Sequence, residues 1–374
     1  MEILLNKNNN IFILLSKEII LSIWESERIF MDVLVYVITY NHENYIEQCI
    51  HSIMSQKCSF DFKVAVFDDA STDRTRDILN KLKFSYKEKL ILNFPSCNMF
   101  SQEKYNMHWK YLGNMEEAKY IAFCEGDDFW NDNSKLQLQY EIMEKNQDCS
   151  VCVHLVDLYD ELKKKFTHRI PDMKWLGICA GKQKSDVLIR KQLEYGNMFS
   201  YNSYFWRAKF FYKENFDNLY WDMVLGDFIT FMYLAIKGEV FVIDASMAVK
   251  RVNNLGTFSY QANYSFHIDC EKKIENLEKE ILMLKRYDEM SKGKFAIYIE
   301  NAIVFRHIKI KMLKESEKID IECVNPYTGK RIRNRIHRKI NHLYIKVCKK
   351  IYANNPEKLA SIFNCRLKKA LNKY

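Results

Sequence analysis

Strongly apolar segments alternate with segments of helical spacing along the first part of the chain. Residues 32–40 (DVLVYVITY) are apolar at almost every position, which is typical of a strand that helices cover on both faces. Residues 62–67 (FKVAVF) show the same pattern. The apolar residues between these two segments have helical spacing and are Ile46, Cys49, Ile50 and Ile53. The chain therefore begins its pattern as strand, helix, strand.

The same alternation continues through the middle of the chain. Further strands are predicted at residues 90–94, 120–124, 199–206 and 239–244, and further helices at residues 134–145 and 227–237. After the second strand we expect a helix that Ser71 caps and that turns Ile78, Leu79 and Leu82 inward. This alternation predicts a doubly wound α/β fold, with a mainly parallel central sheet and helices on both faces. Ligands of such folds bind where the strands end.

The strand pattern stops near residue 262. Beyond it Ile274, Leu277, Ile281 and Leu284 are spaced three or four apart, which predicts a long helix. We therefore divide the chain into an extension at residues 1–30, an α/β domain at 31–261 and a helical, basic region at 262–374. The first segment is an extension or an upstream mis-start, because Met31 directly precedes the first clear strand.

Charge is concentrated at the end of the chain. The net charge is +9, and residues 326–374 alone hold 14 Lys or Arg against one acid. Their bases alternate with apolar residues, so amphipathic helices that dock on an anionic membrane surface are one interpretation. A solvated basic face packed on the main domain is the alternative. No nucleic-acid motif accompanies the charge, so we expect no nucleic-acid partner.

Cysteine usage and hydropathy bear on location. The eleven cysteines are odd in number and scattered, which favours a reduced, cytoplasmic setting over a disulfide framework. The longest apolar runs, such as residues 11–15, have about five residues and are far too short to span a bilayer. We expect a cytoplasmic protein, peripheral at the inner membrane face if the basic tail docks there.

Carboxylates cluster after two of the predicted strands. The first cluster is Asp68, Asp69 and Asp73, and the second is Glu125, Asp127 and Asp128 around Gly126. Like charges at strand ends repel unless a cation or a ligand group neutralises them. Oxygen ligands suit magnesium or manganese, which commonly bridge protein carboxylates to diphosphate oxygens. The alternative is that these are acidic turns that cap helices.

The order of these features resembles the family 2 glycosyltransferases, which have the Rossmann-like GT-A fold. The resemblance is strong over residues 32–155, through the TYN strand end, the DDASTD segment, YIAFCEGDDFW and the following Lys-Leu pair. It continues more loosely through WDMVLGDF, KGEVFVID and KRVNNLGTFS. Five motifs in order make a chance match improbable.

The resemblance implies a site for a nucleotide-sugar donor. Thr39 and Tyr40 occupy the position that cradles the base, where an aromatic face can stack on uracil. Asp69 matches the residue that hydrogen-bonds the base. Asp68 is expected to hold the local backbone or the ribose.

The resemblance also implies a divalent metal cofactor, manganese or magnesium. Glu125, Asp127 and Asp128 match the DxD-type segment that binds the metal and the diphosphate or ribose, and Asp127 is assigned to both. Glu125 stands where many members have Asp, and its extra methylene changes its reach. Which of the three carboxylates would touch the metal stays open.

Two further segments match the acceptor side of such a site. Asp227 matches the acid that takes a proton from the acceptor hydroxyl; a helix N-cap is the alternative, and the two roles need not conflict. Arg251 is expected either to contact the diphosphate or to pair with a surface acid. Asn253 stands where several relatives place a metal-assisting His.

The resulting expectation is an inverting, metal-dependent hexosyltransferase or related enzyme. It would move a sugar from a UDP-sugar to a hydroxyl of a growing surface glycan, free or lipid-linked. One alternative is a sugar nucleotidyltransferase, which the lack of a Gly-rich triphosphate loop disfavours. Another is a catalytically degenerate sugar-binding or scaffold protein, for which Asn253 is the best argument. Residues 201–206 (YNSYFW) line an acceptor or form a core strand.

Overall fold

The structure is a computed structural model that describes residues 2–5, 11–14, 31–100, 118–211, 226–253 and 270–317. The chain divides into two compact units, residues 1–266 and 267–374. The predicted domain limits of 31–261 and 262–374 stay predictions. The basic tail at 326–374 lies outside the described residues, so its docking on a membrane stays a prediction.

The first unit alternates strands and helices in the predicted manner. Its strands are β1 (Glu2–Leu5), β2 (Ile11–Leu14), β3 (Met31–Thr39), β4 (Phe62–Asp68), β5 (Leu90–Asn93), β6 (Ala118–Glu125), β7 (Phe129–Trp130), β8 (Cys149–Asp160), β9 (Lys165–Ile170), β10 (Gly181–Gln183), β11 (Phe205–Arg207) and β12 (Glu239–Val252). Its helices are α1 (Ile46–Met54), α2 (Thr75–Tyr86), α3 (Lys135–Lys145), α4 (Met173–Leu176), α5 (Ser185–Tyr195) and α6 (Gly226–Ala235).

One ten-stranded sheet organises this unit. Its order is β10-β12-β8-β11-β6-β3-β4-β5, with β7 paired to β12 and β9 to β8, while β1 and β2 form a separate antiparallel pair. The centre, β6-β3-β4-β5, is parallel, whereas β11 runs antiparallel between β6 and β8. The α/β fold class is confirmed, with a parallel centre in a sheet that is mixed as a whole.

Apolar side chains cover both faces of the central strand β3. On one face Val33, Val35 and Val37 belong to a core that α1, α2 and α3 complete. On the other face the ring of Tyr36 packs edge-on to Phe123 of β6, at a centroid distance of 5.6 Å. Burial on both faces explains why β3 is apolar at nearly every position.

Two helix predictions can be compared with the structure. All four apolar residues predicted to face inward from α1 are buried. In α2, Leu79 and Leu82 are buried and Ile78 packs partly buried against the same core. Ser71 does not cap α2, because the helix begins at Thr75, whose N–H donates to the Asp73 carboxylate at 2.9 Å.

Two strand predictions differ from the structure. Residues 201–203 form a 3-10 helix, and only Phe205–Arg207 pair as a strand, between β6 and β8. The aromatic residues of this segment are buried, which is the core interpretation: Tyr201, Tyr204, Phe205 and Trp206. The strand predicted at 239–244 continues to Val252, because it stays paired with β8 through register shifts near Ser246.

The second unit contains two helices within its described residues, α7 (Cys270–Met290) and α8 (Ala296–Glu317). The predicted long helix is confirmed, with Ile281 and Leu284 buried. Arg306 of α8 pairs with Glu280 of α7 at 2.7 Å. In the described part of the chain, no helix is both long enough and apolar enough to cross a membrane.

We predict that the core face of α2 carries its stability. Leu79→Ala should lower the free energy of unfolding by about 2 to 5 kcal/mol, because it empties space in a fully buried position. Phe84→Ala in the same helix is the control, since Phe84 is 87% exposed and its loss should change the free energy by less than about 0.5 kcal/mol. Urea unfolding measures both, and equal losses would contradict the packing described here.

Candidate functional site

The ends of β3, β4 and β6 meet at one edge of the sheet. The strand register places Thr39 beside Asp68 and Ile38 beside Glu125. Just beyond the strands, the Asp69 N–H donates to the Thr39 carbonyl at 2.9 Å. Both acidic clusters are therefore anchored to the tip of β3, one on each side.

Gly126 allows the second cluster to approach that tip closely. Its N–H donates to the Ile38 carbonyl at 2.8 Å. A Cβ at this position would lie 2.6 Å from Thr39 Oγ1, 2.7 Å from Thr39 Cβ and 3.0 Å from His42 Nδ1. These distances are shorter than van der Waals contact, so only glycine fits between the two strand ends.

Asp68 shapes the turn after β4. Its carboxylate is fully buried, pairs with Arg76 Nε at 2.5 Å and accepts the N–H and hydroxyl of Ser71. Arg76 also donates to the Pro95 carbonyl at 2.8 Å. Asp68 thus holds the local backbone, which is one of the two roles expected for it.

Asp69 organises the segment that follows β5. Its carboxylate accepts the N–H groups of Met99 and Phe100 at 2.6 and 3.0 Å. Burial raises the pKa of Asp69, and the two backbone hydrogen bonds oppose that rise. A carboxylate has about four lone-pair positions, so acceptor capacity remains for a ligand N–H. Tyr40, on the preceding tip, exposes 43% of its surface, as a stacking platform requires.

Asp128 is buried and links the loop after β6 to β12 and to the 3-10 helix at residues 201–203. It is 1% exposed, and its two oxygens accept the Arg251 N–H at 2.8 Å and the Asn202 amide at 3.0 Å. Burial raises the pKa of Asp128 well above its ordinary value, the charge of Asp127 adds to the rise, and Lys250 opposes it. Both oxygens of this carboxylate are therefore engaged by the protein itself.

Glu125 forms an ion pair with Lys250. The Lys250 ammonium of β12 donates to Glu125 Oε2 at 2.6 Å. Burial disfavours the charged lysine, but the carboxylates of Glu125, Asp128 and Asp227 outweigh burial and hold the pKa of Lys250 above its ordinary value. The single ammonium of Lys250 thus offsets the negative charge of three carboxylates.

Arg251 clamps the loop after β6 to its surroundings. Its Nε pairs with Glu161 at 2.9 Å, Nη1 donates to the Asp127 carbonyl at 2.5 Å, and Nη2 donates to the Gln48 side chain. Its guanidinium also lies over the Phe129 ring, 4.6 Å from the centroid. The acid that it pairs with is largely buried, and a contact with diphosphate stays a prediction.

Asp227 is the second residue of α6. Its carboxylate accepts the Phe228 N–H at 2.9 Å and the side-chain amide of Asn197. Burial raises the pKa of Asp227, and the Lys250 ammonium opposes the rise. The first contact stabilises the helix start, and a raised pKa suits a general base. Asp227 therefore lies inside the first turn rather than at the N-cap, and its role as general base stays a prediction.

Asn253 has a structural reason for its identity. Its φ is +63°, a left-handed conformation that Asn adopts more readily than most residues. Its side chain hydrogen-bonds the Asp160 carboxylate. The position where relatives place a His is thus used to end β12.

The three predicted metal ligands do not form a site that fits a divalent cation. Asp128 is only 1% exposed and already accepts two hydrogen bonds, and Glu125 is paired with Lys250. Throughout the described ranges, no group of three or more His, Cys, Asp and Glu side chains is arranged to hold a metal. Two unit charges 4 Å apart interact by about 4 kcal/mol at an effective dielectric constant near 20. A divalent ion beside the ammonium would therefore be strongly repelled.

The sequence analysis missed three residues of this site. Lys250 supplies the paired cation, while Asn197 and Asn202 hold Asp227 and Asp128. The two asparagines lie in segments without a readable motif. Lys250 directly precedes Arg251 in a motif that was recognised, so its charge was the one available signal.

The comparison with protein families gives one match. The model described as glycosyl transferase family 2 matches residues 34–233, which is more than half of the chain. This range includes both strand tips and Asp227.

Individual relatives match over shorter stretches. An uncharacterized protein of Mycobacterium bovis is 27% identical over 216 residues, 57% of each chain. The putative teichuronic acid biosynthesis glycosyltransferase TuaG of Bacillus subtilis is 33% identical over 112 residues, 29% of this chain and 42% of TuaG. The chain thus spans little more than half the length of the mycobacterial relative and less than half that of TuaG.

A crystal structure of S. aureus TarS 1–349 in complex with UDP is similar at a TM-score of 0.47 and 16% identity. The match covers 78% of this chain and 92% of that one. This TM-score is too low for the likeness to support an inference about this chain.

We predict that Gly126→Ala damages the site's framework. The added methyl group must push Thr39 away, so the free energy of unfolding should fall by about 1 to 3 kcal/mol. Gly226→Ala is the control, because a Cβ there meets nothing within 4 Å, and it should change stability by less than about 0.5 kcal/mol. Denaturant unfolding compares the two. A Gly126→Ala protein as stable as its control would show that the tips have room to separate.

Proposed function

The chain belongs to glycosyl transferase family 2, and on that premise we propose that it transfers a sugar from a nucleotide-sugar donor to an acceptor hydroxyl. The donor we propose is a UDP-sugar, and the acceptor is a growing surface glycan, free or lipid-linked. The observation that carries the proposal is the anchoring of Asp69 and Gly126 to the same strand tip. It joins the expected base-binding and diphosphate-binding segments at one edge of the sheet.

Donor binding begins at the tip of β3. Tyr40 offers an exposed ring for stacking on the base, and Asp69 offers the remaining acceptor positions of a carboxylate that the backbone already holds in place. Thr39 is 3% exposed and packs against Gly126, so it shapes the floor of this position. Asp127, whose backbone Arg251 holds, is the acid that we assign to the ribose, whose hydroxyls can donate to its carboxylate.

The transfer step is assigned to Asp227. The acceptor oxygen attacks the anomeric carbon, the bond from that carbon to the diphosphate oxygen breaks, and the diphosphate leaves with the bonding electrons. The acceptor proton passes to the Asp227 carboxylate, whose hydrogen bond from Asn197 fixes its orientation. Attack from the side opposite the leaving group inverts the anomeric centre.

The manganese or magnesium ion that the family resemblance predicts has no step in this mechanism. In the arrangement seen in this structure, the predicted ligands do not form a site that fits the ion.

The names of two relatives support the surface-glycan acceptor. TuaG is named for teichuronic acid biosynthesis, and a poly(ribitol-phosphate) beta-glucosyltransferase of Bacillus spizizenii is 26% identical over 118 residues. Docking of residues 326–374 on an anionic membrane would bring a lipid-linked acceptor to the site, and it stays a prediction.

A panel of activated sugars tests the proposed function. We expect release of a nucleoside diphosphate from at least one UDP-sugar when an acceptor glycan is present. Pyrophosphate release from a nucleoside triphosphate and a sugar phosphate would instead indicate a sugar nucleotidyltransferase. Sugar binding without either release would indicate the degenerate sugar-binding protein.

Asp227→Asn should separate binding from transfer. Because the amide cannot accept the proton, transfer should fall by about 10²- to 10⁴-fold, while the affinity for the nucleotide changes by less than about twofold. In the wild-type protein the raised pKa of Asp227 means that kcat falls, as the pH is lowered, at a higher pH than the ordinary Asp value of about 3.9.

Rate measurements against pH and titration calorimetry give these quantities. Asp148→Asn, which breaks an exposed pair with Lys182, is the control and should retain full activity. Full transfer by Asp227→Asn would remove this residue from the mechanism.

A further inference from the structure

The Lys250 ammonium lies where the predicted metal and acceptor-side acids meet. It pairs with Glu125 at 2.6 Å, and the charges of Asp128 and Asp227 also act on it. The pair is not sealed inside the protein, because the Lys250 side chain is 22% exposed and that of Glu125 is 31% exposed. A ligand at this edge of the sheet can therefore reach the ammonium.

Two neighbouring cations are already committed elsewhere. Arg76 is paired with the buried carboxylate of Asp68, and Arg251 with Glu161. Lys250 differs from both, because an ammonium has three N–H donors and Glu125 is its one hydrogen-bond partner among the described residues. Donor capacity thus remains on this cation.

Positions that the family resemblance links to metal binding are committed to other contacts. Asn253 stands where the resemblance implies a His, and its side chain hydrogen-bonds Asp160. Asp128, a predicted ligand, is 1% exposed and accepts hydrogen bonds from Arg251 and Asn202. Glu125, another predicted ligand, pairs with Lys250. The positive charge beside Glu125 is therefore the Lys250 ammonium.

We propose that Lys250 supplies, as a fixed ammonium, the positive charge that binds the donor's diphosphate, so that this chain needs no divalent cation to hold its donor. The inference rests on the proposed function and names the group that meets the diphosphate. Lysine binds phosphate as a compact point charge. When the bond from the anomeric carbon to the diphosphate oxygen breaks, the ammonium stabilises the negative charge left on that oxygen and keeps its own protons. Glu125 is then a positioning residue, which holds the ammonium in place.

Binding of UDP, measured by titration calorimetry with EDTA or with MnCl2, tests the inference. For the wild-type protein we expect Kd values that agree within about twofold in the two buffers. Lys250→Met should weaken binding in EDTA by about 10- to 100-fold, the range for loss of a charge-assisted hydrogen bond. MnCl2 should restore its affinity, because loss of the ammonium leaves the negative charges of Glu125 and Asp127 to attract a cation.

A second readout requires no nucleotide. Titration with MnCl2 alone, followed by electron paramagnetic resonance, should show one Mn²⁺ site in Lys250→Met and none in the wild type. Lys182→Met is the matched control, since it removes a lysine from an exposed pair with Asp148, and both readouts should match the wild type. Lys250→Arg, which keeps the charge, should bind UDP in EDTA.

A variant that lacks both charges of the Lys250–Glu125 pair controls for misfolding of Lys250→Met. Lys250→Met combined with Glu125→Gln leaves no unpaired carboxylate, and we expect neither tight UDP binding in EDTA nor a Mn²⁺ site. Wild-type protein that binds UDP only with MnCl2 would overturn the inference and leave the proposed function intact. So would Lys250→Met that binds UDP in EDTA as tightly as the wild type. Wild-type protein that binds no nucleotide in either buffer would overturn both.

Discussion

The cost of gathering acids at one edge of a sheet is the constraint on which the rest of this site depends. Carboxylates brought together in a partly buried space repel each other and lose hydration, so each one needs a donor or a cation. The chain meets this need residue by residue. Arg76 pairs with Asp68, backbone N–H groups donate hydrogen bonds to Asp69, and Lys250 pairs with Glu125.

This division separates acids that build the site from acids that can act in it. Asp68 and Asp128 are too deeply buried for a ligand to reach, so they hold the turn after β4 and join β12 to the loop after β6. Asp69 and Asp227 keep acceptor capacity while other groups fix their orientation. Side chains that are both oriented and incompletely satisfied are the ones that suit ligand recognition and proton transfer.

Much of this arrangement could be predicted from the sequence, because the strands and helices at the parallel centre of the sheet have clear local hydrophobic patterns. The apolar runs of β3 and β4 and the spacing within α1 predicted their elements closely, and both acidic clusters were placed at strand ends. The 3-10 turn at residues 201–203 and the full length of β12 depend on pairing with β8 and packing across the sheet. Such long-range pairing leaves no periodic signal in one segment.

The residues that pair with these acids could not be predicted from local sequence patterns for the same reason. Lys250 lies 125 residues after Glu125, and the pairing of β12 with β7, which follows Glu125 closely, brings the two together. From the sequence, the acidic clusters required some positive charge, and an external ion was the natural candidate. The fold also places the Lys250 ammonium beside Glu125, a contact that depends on tertiary structure. A cluster of acids at a strand end thus shows that a positive charge or a donor must lie nearby. Which group supplies it depends on the topology of the sheet.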